Sequence, residues 1–316
     1  MSAPEATRAA RPGAAARTRR RPIPGEHGAW GAFLTGIALG AALAVQAGGP
    51  LWPALSAGAA AVVLFMLREA LFQAYRPQRA RDPARQAAER QEAARARRWV
   101  LGELLALLVI GGLLVGATRQ VWLVAAGAAG LGFLAFFVLL RRSRQERSAW
   151  AEVVGFVGMS AAGPMGYLLS VSTAVQEGLA GSEGPVLLHL AEGGLQWGTV
   201  ERALLVWLLL ALYFVGPVFY VKMKVAQQRE RPSTPMDRVR LGWGTLLYSA
   251  ALAAVLALAG SAAGVGTWPF VGYVPSLVKN VVGVFRVKLP LNLRRIGFTE
   301  VGLSLLFALG IFLGLG

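Results

Sequence analysis

Apolar runs long enough to cross a hydrocarbon core of about 30 Å, at about 1.5 Å of rise per residue, recur along the whole chain. In lipid every backbone N–H and C=O must find a partner within the protein, so such runs fold as helices or as a closed barrel. Runs of this length are helical. Candidate spans are 29–47, 51–71, 99–117, 120–140, 150–172, 203–221, 241–263, 264–285 and 296–316. The expected fold class is therefore all-α, a polytopic transmembrane helix bundle of about nine spans. Charged residues make up only 15% of the 316 residues, well under the quarter usual in a soluble domain.

The charges that remain are unevenly placed. Of 32 Lys and Arg residues, thirty fall in residues 1–28 or in the stretches 68–98, 141–149, 222–240 and 279–295; only Arg119 and Arg202 fall on the other side. Basic loops stay cytoplasmic, which predicts a cytoplasmic N-terminus and an outer C-terminus. The formal charge of +16 is then a topogenic signal and a basic inner face. Such a face attracts anionic lipid headgroups by roughly 1 kcal/mol per basic residue near the surface. In a soluble protein the same charge would point to nucleic acid; here no nucleic-acid partner is expected.

Residues 1–28 read as a disordered basic cytoplasmic tail, and 29–316 as the transmembrane domain. The cytoplasmic loops are 72–98, 141–149, 222–240 and 286–295, and the one long outer loop is 173–202. Arg19–Arg20 precede the first span by too many residues, with two prolines between, to read as an export signal, and a signal-anchor helix fits better. From Asp82–Pro83 onward the first long loop is rich in Ala, Glu, Gln and Arg. It reads as a solvated helix capped by Asp82, with Pro83 at its first position. "VLLHLAEGGLQW", which contains His189, reads as a helix lying on the outer surface. The span 264–285 is the weakest: it holds two prolines, a lysine and an asparagine, so a broken or re-entrant element is the alternative to a crossing helix.

Ionisable residues at membrane depth are functional candidates by default. Glu103, Glu152 and Glu300 lie in the first turns of spans that start on the cytoplasmic side. Arg68 and Glu69 end the second span, Tyr220 and Lys222 end the sixth, and Arg76 and Arg147 sit in basic loops. Glu26 and His27, in "RRPIPGEHGAW", join them at the same level. The expectation is a polar ring of both signs at the inner mouth of the bundle. A carboxylate in a first helical turn is also favoured by the helix dipole alone, and Arg or Tyr near an interface can snorkel. Glu103, deeper in an apolar run, is the member that most needs a partner.

Prolines in "GPMGY" (163–167) and "YFVGPVFYVK" (213–222) kink helices and free carbonyls, either to line a cavity or as ordinary membrane-helix packing. Gly36-x-x-x-Gly40 and Gly112-x-x-x-Gly116 read as packing motifs. There is no cysteine, which excludes disulfides and thiolate sites. The two histidines, His27 and His189, fall on opposite sides and cannot share a metal or haem. No Walker loop and no G-x-S-x-G motif occurs. No metal and no cofactor is expected.

Three stretches carry a family resemblance: "PGEHGAW" (24–30), "RQERSAWAEVVGFVGMSAAGPMGY" (144–167) and "FVGPVFYVKMKVAQQRERP" (214–232). On these the chain resembles the YwiC-like family of bacterial membrane proteins, from residue 22 onward. The resemblance implies a multi-pass protein of a bacterial cytoplasmic membrane and implies no particular reaction. In topology the chain also looks like the UbiA-type prenyltransferases, a resemblance that implies Mg²⁺ held by two aspartate-rich loops. The matching positions here are "REALFQAYR" (68–76) and "KVAQQRERPSTPMDR" (224–238), with Asp237 the only aspartate. Mg²⁺ needs carboxylate oxygens, so metal-dependent prenyl transfer is not expected. Arg68, Arg76, Lys222 and Lys224 could instead meet a phosphate directly.

The functional expectation is a basic, cytoplasm-facing cleft that binds an amphiphilic anion, a lipid or isoprenoid phosphate, through Arg68, Arg76, Arg147 and Lys222. Two alternatives come from other classes. One is a transporter using Glu103, His27 and Glu300 as proton-linked groups, against which the largely Ala, Leu, Val and Gly midplanes count. The other is a non-catalytic accessory subunit of a membrane complex, with a protein partner or a second copy.

Overall fold

A computed structural model describes residues 27–75, 83–143, 145, 148–178, 197–262, 268–287 and 290–315. The helices, in chain order, are α1 (His27–Gln46), α2 (Leu51–Ala74), α3 (Pro83–Thr118), α4 (Trp122–Arg142), α5 (Ala149–Met159), α6 (Ala162–Gly178), α7 (Trp197–Glu230), α8 (Pro235–Ala262), α9 (Trp268–Phe285) and α10 (Leu293–Leu315). Among the described residues seven helical rods are long and apolar enough to cross a membrane; α5 and α6 count as one rod, Ala149–Gly178. α1, with 20 residues, and α9, with 18, are each about 30 Å long and pack among them. The protein is a multi-pass membrane helix bundle.

Several expected boundaries move. The solvated helix from Pro83 and the span 99–117 are one continuous helix, α3, of 36 residues. Ala, Arg and Glu before Trp99 and Leu and Val after it are all tolerated in a helix, so nothing stops the rod at the interface. The sixth span likewise lengthens into α7, 34 residues from Trp197 to Glu230. The described part of the weak eighth span, Trp268–Phe285, is one helix with Pro275 inside it. The fifth span is the one that breaks. Ser160 closes α5, bonding back to Phe156 O at 2.9 Å, and α6 restarts at Ala162. Pro164, with no N–H, sits in the first turn of α6, where a helix tolerates it.

α1 lies at the centre, packed on α6, α10 and α2, and α7 contacts α5, α6, α8 and α9. The main core joins Leu39 and Leu43 of α1, Tyr167 of α6, Leu210 and Tyr213 of α7, Tyr273 of α9, and Phe307 and Ile311 of α10. α3 packs on α2, with a smaller contact to α4, and leaves Leu101, Leu108 and Leu113 outward.

Gly36-x-x-x-Gly40 is a packing motif within the chain. A Cβ on Gly40 would run into the Gly163 carbonyl, and one on Gly163 into the Gly36 carbonyl. The "GPMGY" glycine thus serves helix crossing, backbone against backbone. Gly112-x-x-x-Gly116 does not pack: nothing lies within 4 Å of either added Cβ.

Candidate functional site

The residues of the predicted ring can be placed helix by helix. Ser148 caps α5, its Oγ accepting from Ala151 N at 3.3 Å. This puts Glu152 in the first turn, where the helix dipole favours it. Lys222, on α7, donates to Glu152 Oε1 at 2.9 Å, with both side chains about one-third exposed (35% and 36%). The ring's α5 and α7 members are therefore an ion pair.

Lys224, two residues on, has a different task. Its Nζ donates to the carbonyls of Gly283 and Arg286 and to Gln227 Oε1. Gln227 Nε2 reaches Val284 O at 2.9 Å, and Arg238 reaches Phe285 O at 3.1 Å. The last carbonyls of α9 have no partner in their own helix, and α7 and α8 supply donors to them. All three ammonium protons of Lys224 are so directed, which leaves none to meet a phosphate. Asp237 is likewise structural. It accepts from Thr234 N and Oγ1 while Thr234 Oγ1 accepts from Asp237 N, a reciprocal cap on α8.

Arg68 lies within α2. Its guanidinium carbon stands 5.3 to 5.9 Å from the ring centroids of Phe65, Phe72 and Phe137, and its buried Nε has no hydrogen-bond partner among the described residues. Arg141 of α4 covers Phe72 at 4.3 Å, so two guanidinium groups share one ring. Glu69 accepts from Gln73, one turn along. Glu103 is 7% exposed, and neither carboxylate oxygen has a partner among the described residues. Gly130 packs on Leu64, and α4 follows α3 after a three-residue turn. Counted along these rods at 1.5 Å per residue, Glu103 stands within about one turn of the height of Arg68.

The fourth group joins two expected residues, Tyr220 and Glu300, to a lysine that the ring did not include. Lys279, counted above with a basic loop, lies inside α9, six residues from the helix end, or about 9 Å. It donates to Glu300 Oε1 of α10; the side chains are 13% and 8% exposed. The Tyr220 ring covers the ammonium, Nζ to centroid 4.4 Å. Tyr220 thus belongs with Lys279 and Glu300, away from Lys222. Beyond them, Tyr213, Ser276, Ser304, Asn280 and Ser249 are all buried. The packing among α7, α8, α9 and α10 is therefore not wholly apolar. A lysine and an asparagine side by side in an otherwise apolar run were the available signal. For Arg141 there was none, because it looks like any basic residue ending a span.

α1 starts at His27. Gly31 packs on Val301, so His27 begins α1 about one turn below the height of Glu300. Glu26, Arg76, Arg147, His189, the tail up to residue 26 and most of the outer loop (179–196) lie outside the described residues. Among the described residues no three His, Asp or Glu side chains lie close enough together to hold a metal ion.

These side chains can now be set against known proteins. Residues 23–167 match the family model described as YwiC-like protein. The match spans α1 to the first turns of α6 and includes His27, Arg68, Glu69, Glu103 and Glu152. The stretch 214–232, where the resemblance was also read, lies outside it, as do Lys222, Lys279 and Glu300. No curated protein and no solved structure matches the chain.

Proposed function

We propose that this multi-pass protein binds an amphiphilic anion, a lipid or isoprenoid phosphate, at the basic end of the bundle, and that this end faces the cytoplasm of a bacterial cell. The observation that carries the reading is the pair of guanidinium groups, Arg68 and Arg141, over the Phe72 ring. Stacking on aromatic rings holds an arginine fork in place, so less freedom is lost when it meets a phosphate. Beside it, Leu139 and Phe136 of α4 are exposed and offer an apolar surface for a hydrocarbon tail. Lys222 contributes from α7 when Glu152 yields it.

The test is mass spectrometry of lipid phosphates that co-purify with the protein in mild detergent. Wild-type protein is expected to retain a defined phosphate-bearing lipid, and the Arg68→Ala, Arg141→Ala double variant to lose at least 90% of it. Lys224→Ala, which alters a helix cap, should retain it. Equal retention in wild type and double variant would overturn the reading.

A further inference from the structure

The two halves of the broken fifth span are held in different ways. At the break Ala161 N bonds to Gly158 O at 3.2 Å, one residue short of the helical partner, and Pro164 has no N–H to offer the Ser160 carbonyl. The Val157 carbonyl accepts instead from Trp207 Nε1 of α7 at 2.9 Å and from Ser160 Oγ at 2.7 Å. The freed carbonyl is thus satisfied from a neighbouring helix, and one half can turn against the other without opening an intact helical turn. α6 is fixed: Gly163 crosses α1 backbone against backbone, Gly166 meets Ala54 of α2, and Ser170 Oγ accepts from Ala54 N at 3.1 Å. α5 is held by side chains. Toward α4 it turns Gly155 and Gly158 to the rings of Phe137 and Phe133. Toward α7 the Trp207 bond holds its hinge end, and the Glu152–Lys222 pair holds its far end. Water and salt reach that pair and weaken it, so it opens readily.

We propose that α5 is a hinged half-helix latched by Glu152, an internal competitor for Lys222, and that an anionic headgroup arriving at Arg68 and Arg141 releases the latch. The inference rests on the phosphate-binding reading above. The packing places α5 against that site. Ala151 and Val154 pack with Phe72, Phe137 and Leu140; Phe72 carries both guanidinium groups, and Phe137 carries that of Arg68. A carboxylate and a phosphate are both anionic oxygen acceptors, so they compete for one ammonium group. When phosphate takes Lys222, Glu152 parts from α7 and α5 turns about Ser160–Ala161. A ligand shifts such an equilibrium only through a contact it makes in one state alone, and the Lys222–phosphate bond is that contact. α5 has 11 residues. It is therefore about 16 Å long, and a turn of about 20° carries its first residue about 5 Å.

The chain has no cysteine, so two introduced cysteines give a single spin-label pair. Ala149→Cys with Met236→Cys reports α5 against α8, and both positions are exposed. Glu177→Cys with Leu204→Cys, also exposed, reports α6 against α7 as the reference. Distances are read by pulsed electron resonance on the full chain in phosphatidylcholine nanodiscs, without and with phosphatidic acid. In phosphatidylcholine alone, Glu152→Gln is expected to add a population displaced by about 5 Å at the 149–236 pair, and Lys222→Gln to do the same. Phosphatidic acid is expected to enrich that population where Glu152 and Lys222 are intact, and to leave the Lys222→Gln distribution unchanged. The reference pair should stay constant throughout. A 149–236 distribution that neither latch variant alters overturns the hinge, as does an equal displacement of the reference pair. Displacement in both variants with none on phosphatidic acid overturns the release by an anion. The two latch arms in phosphatidylcholine contain no phosphatidic acid, so the hinge and the phosphate reading fail separately.

Discussion

Lys279 of α9 and Glu300 of α10 form a buried ion pair in which one carboxylate oxygen carries the lysine and the other has no partner among the described residues. Removing one member of such a pair leaves a lone charge in a low-dielectric interior, at a cost of about 3–5 kcal/mol, whereas removing both is often nearly neutral. Lys279→Met alone is therefore expected to lower stability strongly. Lys279→Met with Glu300→Leu should recover most of that loss. Denaturant unfolding of the two variants in one detergent measures the difference.

The neighbouring pair behaves differently. Lys222 and Glu152 are each about one-third exposed, and exposed pairs contribute about 0–1 kcal/mol because water and salt screen them. Lys222→Met should therefore change stability by less than about 1 kcal/mol. Lys224→Met removes donors from Gln227 and from the Gly283 and Arg286 carbonyls and should cost about 1.5–3 kcal/mol. Amide exchange at the end of α9 should rise in Lys224→Met alone.

Two glycine motifs of identical spacing separate in the same way. Gly40→Ala drives a methyl group into the Gly163 backbone, and overpacking against rigid atoms costs about 1–3 kcal/mol or more. Gly116→Ala meets nothing within 4 Å and gains up to about 1 kcal/mol of helix propensity. Thermal unfolding midpoints should move in opposite directions.

The spacing G-x-x-x-G could not make this distinction, because it records which face of a helix carries small residues and not whether another helix crosses there. The same limit explains the rest of what was and was not legible. Apolar run length depends on the chain alone, so the helices and their approximate ends were readable. A common depth for Glu103, Glu152 and Glu300 is an expectation from span polarity. Which cation each carboxylate meets depends on helix neighbours and rotations, and there the ring separated into a pair with Lys222, a pair with Lys279, and Glu103 with neither. Lys279 was legible as the lysine inside the weak eighth span, but its partner was not. Inside α9 its charge is compensated by Glu300 of the next helix, α10.

Glu103 gives the last prediction. It is 7% exposed, and both of its oxygens lack partners among the described residues. Nothing there repays the desolvation of a carboxyl group, and a buried unsatisfied polar group costs about 1–3 kcal/mol. An apolar side chain of similar size removes that cost and keeps the packing of α3 on α2. Glu103→Leu is therefore expected to raise the stability of the purified protein by about 1–3 kcal/mol, and Glu103→Gln, which keeps buried polar atoms, to raise it by much less. Denaturant midpoints in one detergent, with the urea dependence unchanged between variants, measure both. A Glu103→Leu protein less stable than wild type would show that the carboxyl is satisfied by residues outside those described, and would move the site toward the 76–82 connection between α2 and α3.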